Sequence, residues 1–331
     1  MTRFMKQSFL AISATAFLLT PNVSALSKVD PQATYPSGKL TDAASIISQV
    51  YFVNHFFGFK NYSIQKDRRT ITVIVKKSEG KKPLTETVER YLNNDYLDDG
   101  AIRSRDLAIF RAGKLRGTGM LITDYDDDAK SQEYLLWLPA LRKVRRFAQP
   151  AHDESWGGTD FTFGDVTLRK PMHESHELLG TQTLGMTLKS IDIPASEQTK
   201  LTKNLPGGTD EFSSAEVYKI KSTTRFSGWW YDYRISYVDT TTFADYHTEY
   251  FKNGEMIKFL DKNWQKIDGE SDPRSLRWYV WYAKDLRNNH ETLAYIPKKV
   301  TAVNQDSFKV GKKKYSATKL WAESTLRKIK R

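Results

Sequence analysis

Apolar positions along this chain follow three successive patterns. An apolar run from Phe9 to Leu19 sits behind Arg3 and Lys6 and ends at Pro21, with the small residues Val23-Ser24-Ala25 beyond it. A basic start, a short apolar stretch and a small-residue end predict a cleavable signal peptide over residues 1–25, cut after Ala25. Crossing a bilayer takes about 20 apolar residues, so the run is too short for an anchor. After a polar leader, Thr41 or Asp42 can cap a helix in which Ala43, Ile46, Ile47, Val50 and Val53 recur at helical spacing and which ends near Phe56-Phe57-Gly58. From there the period falls to two. Ile71–Val75 is a β-branched run. In Thr85–Leu92, Glu86, Val88, Arg90 and Leu92 fall on one side. Leu107–Arg111, Gly117–Thr123, Glu133–Leu138 and Lys143–Ala148 read as further strands, with Pro139 ending one and opening its return.

The second half has the same texture. Glu216–Ser222 and Tyr231–Asp239 are strands, and His247–Phe251 pairs with Met256–Leu260 across Asn253-Gly254, a strong hairpin signal because both turn positions need positive φ. Leu276–Tyr282 alternates, with Leu276, Trp278, Val280 and Tyr282 on one side; Glu291–Ile296 and Phe308–Val310 follow, then a short basic segment, Ser316–Arg331. No Pro- or Ser-rich linker divides the chain. The pattern predicts a mainly β fold with few helices (α+β): one large, strongly curved antiparallel sheet with the early helix packed against it. Such a sheet can enclose an apolar cavity.

Composition narrows the chemistry. There is no cysteine among the 331 residues, which excludes disulfides, thiol nucleophiles and thiolate metal sites and fits an exported bacterial protein with a core large enough to do without disulfides. The formal charge is +12, and loss of Arg3 and Lys6 with the signal peptide leaves +10. Such a balance suits nucleic acid in the cytoplasm, but an exported protein meets anionic lipid, lipopolysaccharide or acidic protein faces instead. The expectation is therefore no nucleic-acid partner, with peripheral membrane contact open. The cations are spread widely, which argues against one dedicated patch.

Candidate catalytic and metal motifs are weak. His173-Glu174-Ser175-His176 and His152-Asp153 lack the His-Glu-x-x-His spacing of zinc hydrolases, and Pro171 and Gly180 suggest a loop around the former. Asp124, Asp126, Asp127 and Asp128 lack the glycine and terminal Glu of a calcium loop. No G-x-S-x-G elbow, P-loop or dinucleotide fingerprint is present. No metal or cofactor and no catalytic residue is assigned, and a carboxylate pair in space stays open.

One block resembles a known family. Tyr134-Leu135-Leu136-Trp137-Leu138-Pro139-Ala140-Leu141-Arg142-Lys143-Val144-Arg145-Arg146, followed by Gly158-Thr159-Asp160-Phe161-Thr162-Phe163-Gly164-Asp165-Val166, is similar to the core of LolA-like outer-membrane lipoprotein-sorting proteins. Gly117–Leu121, Tyr250–Glu255 and Glu291–Leu293 add looser likeness, so the family-like core runs about from 105 to 296 within a single domain, 26–331. The resemblance implies a half-open β-barrel with the N-terminal helix as a lid, a periplasmic location, no enzymatic activity, and a lipid or acylated protein as cargo. An inner-membrane transporter of the resistance-nodulation-division type is a further implied partner. The motif residues are Pro139, Arg142, Arg145, Arg146, Gly158, Asp160, Phe161 and Asp165. Their cations read either as a basic rim for a headgroup or transporter, or as a solvated hairpin ion-paired to Asp160 or Asp165. Leu136, Leu138, Trp229, Tyr231, Tyr233, Trp278 and Val280 are the expected apolar wall. A carrier is the leading expectation. A transporter adaptor with a self-filled cavity and a secreted envelope-polymer hydrolase with acids and bases converging in a polar cleft are the alternatives.

Overall fold

The computed structural model describes residues 28–96 and 100–328, so the predicted signal peptide lies outside the described residues. Helix α1 (Ala43–Asn54) begins where the Asp42 carboxylate accepts the Ser45 N–H at 2.7 Å. All five of its predicted stripe residues are buried. It ends two residues before Phe56, which takes φ +56°, a conformation bulky residues rarely adopt. The Asn94 side-chain amide donates to the Phe56 carbonyl at 2.9 Å and the His55 carbonyl at 3.2 Å, while the Phe56 ring stacks on Tyr62 at 4.2 Å. These contacts hold the strained turn.

The first half continues as β1 (Asn61–Ile64), β2 (Thr72–Lys77), β3 (Leu84–Asn93), β4 (Ile102–Ala112), β5 (Gly119–Tyr125), β6 (Glu133–Leu138) and β7 (Lys143–Phe147). The second adds β8 (Glu174–Thr183), β9 (Glu216–Thr224), β10 (Tyr233–Asp239), β11 (Asp245–Lys252), β12 (Glu255–Lys266), β13 (Leu276–Asp285) and β14 (His290–Tyr295). Three short strands, β15 (Thr301–Val303), β16 (Ser307–Val310) and β17 (Lys313–Ser316), precede the helical turns α2 (Ala317–Leu320) and α3 (Glu323–Leu326). Fifteen strands form one antiparallel sheet in the order β7-β6-β5-β4-β3-β2-β14-β13-β12-β11-β10-β9-β8, with β1 paired to β3 and β15. Two meanders of neighbouring strands are thus joined by two long-range pairings, β2 on β14 (Val73↔Tyr295, Val75↔Leu293) and β1 on β15 (Tyr62↔Val303). The sheet stays open, with β7 and β8 at its edges, and α1 packs across its inner face in the position of a lid.

Two bulges correct the sequence reading. The stretch around His173–His176 is an edge strand rather than a loop, because Gly180 (φ +137°) absorbs a register slip and hides the alternation. A second slip between Asn263 and Trp264 breaks the alternation of β13. Trp278 and Trp281 therefore share the inner face, while Val280 and Tyr282 face outward. The outer face is covered in two places. Phe308, Val310, Leu320, Trp321 and Leu326 of the C-terminal segment bury Tyr91, Leu107, Ile109 and Leu121. Ile191 and Ile193 cover Val73, Val75, Val280 and Leu293. The predicted basic tail thus contributes Leu320, Trp321 and Leu326 to the core, apolar residues masked in sequence by the polar and basic residues around them.

Candidate ligand cavity and its latched cover

Between β7 and β8 the chain crosses the inner face as an irregular cover, residues 149–173. Its fold is local. The Trp156 N–H donates to the Phe161 carbonyl at 2.8 Å, closing a tight loop in which Gly157 (φ +63°) and Gly158 (φ +74°) take the left-handed region that glycine adopts without strain. Thr162 and Asp165 then cap a single helical turn reciprocally. The Thr162 N–H donates to the Asp165 carboxylate (3.0 Å) and the Asp165 N–H to Thr162 Oγ1 (3.1 Å). A Cβ on Gly164 would sit 2.9 Å from the His152 carbonyl, so that turn also needs glycine for close approach.

This local fold aims three apolar side chains at the sheet. Trp156 lies 5.6 Å from Phe110, Phe161 lies 4.3 Å from Trp281, and Val166 packs beside them. Beneath them an apolar slot of about 50 Å³ remains, lined by Ile74, Val88, Met120, Ile122 and Trp278 among others. That volume admits a few waters at most and is far below the ~300 Å³ at the small end of ligand sites. The inner face is therefore filled by the protein's own side chains. Trp156 and Trp281, which both line the slot, leave their indole N–H groups without a partner.

The cover is held down by charge. The Asp160 carboxylate accepts from Thr292 Oγ1 (2.7 Å) and is bonded to His290 Nδ1 (2.6 Å) on β14. Asp165 is fully buried and accepts from Lys258 (2.6 Å), Tyr250 (2.7 Å) and Arg169 (2.9 Å). Burial alone would raise its pKa, but Lys258 and Arg169 outweigh it and hold the carboxyl well below the usual carboxylate range. The network continues from Arg169 to Tyr231 (3.2 Å), Tyr231 to Glu174 (2.9 Å) and Glu174 to Arg234 (2.7 Å). Lys76, paired with Glu86, donates to the Gly157 carbonyl at 3.2 Å, and Lys170 reaches Asp128 at 3.2 Å. At the two ends of the cover, His152 and His173 stand 5.1 Å apart beside Trp229 and Phe226. Burial and neighbouring positive charge push both imidazoles down to about 4.

The expected site residues are thereby divided. Leu136, Trp229, Tyr231 and Trp278 pack in the inner cluster. Val280 faces outward, Tyr233 stacks on Phe251 at 4.8 Å, and Leu138 is half-buried at the end of β6. The seven do not make one wall. Pro139 and Arg142 form the β6–β7 turn, and Arg142, Arg145 and Arg146 are exposed there. Arg146 pairs with Glu133 at 2.7 Å. Asp160 and Asp165 are not the partners of these arginines; Asp160 and Asp165, with Gly158 and Phe161, build the cover and its latches. Lys258, Tyr250, His290 and Thr292 were not assigned to the site from sequence because no local pattern links them to the aspartates, whereas Arg169, four residues after Asp165, carried an i,i+4 signal that the reading missed. Asp124 and Asp128 of the acidic turn bind Arg103 at 3.1 and 2.7 Å. Among the described residues no group of three or more metal-ligating side chains comes together, and no helix is long and apolar enough to cross a membrane.

An open, curved antiparallel sheet closed on its inner face by an N-terminal helix and a latched cover defines a LolA-like fold. A family model described as "-like: Uncharacterized protein" matches residues 103–307, more than half of the chain, and the chain belongs to that family. Among solved structures, a Vibrio parahaemolyticus domain assigned to outer membrane lipoprotein sorting is 12% identical, with a TM-score of 0.60 over 86% of this chain and 98% of that one. A DUF1329 family protein from Desulfovibrio piger is 16% identical, with a TM-score of 0.59 over 86% of this chain and all (100%) of that one. No curated protein sequence matches.

Proposed function

We propose that the protein is a non-enzymatic periplasmic carrier that takes an acyl chain of a lipid or lipidated protein onto the inner face of its sheet when the cover releases. The observation that carries this reading is the construction of the cover. Trp156, Phe161 and Val166 occupy the space a chain would fill, and the segment is tied down at separate polar points. Releasing it exposes Ile74, Val88, Ala108, Met120 and Ile122 as one apolar strip. Burial of an acyl chain there is worth about 25 cal/mol per Å² of apolar area, and the unpaired indole N–H groups of Trp156 and Trp281 are available to an ester carbonyl. The buried carboxylates Glu86, Asp165 and Glu174 are consumed in ion pairs with Lys76, Lys258 and Arg234, which counts against a hydrolase. Transfer onward needs only a partner that binds the chain more tightly.

A second reading has one observation of its own. The self-filled inner face, with about 50 Å³ to spare, favours an adaptor of an envelope transporter that never holds lipid. Native mass spectrometry of the mature protein, with lipid extraction and a fluorescent fatty-acid titration, separates the two. Stoichiometric lipid or saturable uptake supports the carrier. A protein that carries no lipid and takes up no probe supports the adaptor.

A further inference from the structure

The two coverings of the outer face leave an uncovered strip between them, and that strip is basic. The turn between β1 and β2 forms one wall, with Lys66 and Arg68, and the β16–β17 hairpin forms the other, with Lys309, Lys312 and Lys313. Arg116 closes one end of a cleft of about 830 Å³. The same strip runs on past Arg69 to Lys200 and Lys203 of the loop that covers the opposite half. Among the described residues none of the six cations named for the cleft has a carboxylate within ion-pair distance. Glu89 is the one acid in its lining. It is buried, binds Arg111 and accepts the Lys66 backbone N–H at 3.1 Å. The single carboxylate is therefore spent on fixing the floor, where it joins β3, β4 and the β1–β2 turn.

Six cations gathered from separate elements around a concave surface repel one another at a cost that only a counter-charge removes, and a concave wall concentrates their field. A cleft with cations on two sides suits a compact anion with several charges better than a single carboxylate. Lysine and arginine both bind phosphate oxygens through short charge-assisted hydrogen bonds. We propose that this cleft binds a phosphate-bearing anion with at least two phosphate groups, either the headgroup of a lipid or a free polyphosphate. The site lies on the opposite face from the apolar slot, so it goes beyond the carrier reading and does not depend on it.

The test uses inorganic tripolyphosphate in calorimetry, and vesicles of phosphatidylcholine with and without cardiolipin in co-sedimentation. Lys312→Glu with Lys313→Glu reverses charge at the exposed hairpin turn. Lys81→Glu with Lys82→Glu makes the same charge change at the β2–β3 turn, outside the cleft. Expected is tripolyphosphate binding that weakens as salt rises, falls about tenfold in the hairpin pair and is unchanged in the control pair. Vesicle binding that requires cardiolipin and follows the same order assigns a lipid headgroup, whereas tripolyphosphate binding without vesicle binding assigns a soluble anion. No tripolyphosphate binding, or equal weakening in both pairs, overturns the site. Fatty-acid uptake reads the inner face, so this inference and the carrier reading fail separately.

Discussion

Two elements close the inner face, and they are held in different ways. Helix α1 is held mainly by shape: Ile46 and Val53 are almost fully buried, and its polar side-chain contacts are few, Asn54 joining Asp245 and Lys262 at its end and Gln49 accepting from Arg274 at 2.8 Å in its middle. The cover is held by polar latches, with three large apolar contacts, ion pairs at Asp165 and Lys170, and hydrogen bonds from Thr292 to Asp160 and from Lys76 to the Gly157 carbonyl. Apolar packing of the first kind is lost only when the core comes apart. Buried ion pairs roughly break even against their desolvation, so contacts of the second kind fix position more than they add stability. One element belongs to the core, while the other is built to be removable.

This contrast is open to breaking. Ile46→Ala in α1 is predicted to lower unfolding free energy by about 3 kcal/mol in urea titration, the usual cost of a rigid core cavity, with fatty-acid uptake unchanged. Enhanced uptake would mean that the helix also gates the face. Asp165→Ala strands Lys258 and Arg169. In a rigid site that costs about 3–5 kcal/mol, but here the cover can open and rehydrate them. The predicted loss is therefore smaller than in Ile46→Ala, with a several-fold rise in uptake of a fluorescent fatty acid. Phe161→Ala should enlarge the slot without touching the latches, giving a modest gain in probe affinity and little change in opening.

Acid provides the smallest test. His152 and His173 have folded pKa values near 4, below the unfolded value of about 6.5. The unfolded or opened state therefore binds protons first. Their contribution to closure is complete above about pH 6.5 and is lost as pH falls through about 4. Fatty-acid uptake is expected to rise over that window, and His152→Asn with His173→Asn should flatten the rise.

Much of the sheet was legible because strands such as Thr85–Leu92 keep strict alternation: Glu86, Val88, Arg90 and Leu92 all turn inward as the pattern predicts. The helix was legible for the same reason. Reading failed where one residue breaks the period, at Gly180 and beside Trp264, and there a single slip reassigned Val280 to the other face. The motif Gly158–Asp165 was visible as a block, but its role was not. The partners of Asp160 and Asp165 lie 130 and 93 residues away, at His290 and Lys258, and their pairing exists only once the sheet has formed. The basic cleft was diluted for a related reason, since its cations come from segments far apart in sequence.

The most direct test of the removable cover exploits the absence of native cysteine. Asp160→Cys with Thr292→Cys replaces two side chains that touch across the cover and β14, and fatty-acid uptake is then measured in the oxidised and reduced protein. The account predicts saturable uptake when the pair is reduced and none when the disulfide ties the cover to the sheet. Equal uptake in both states, or none in either, would contradict it.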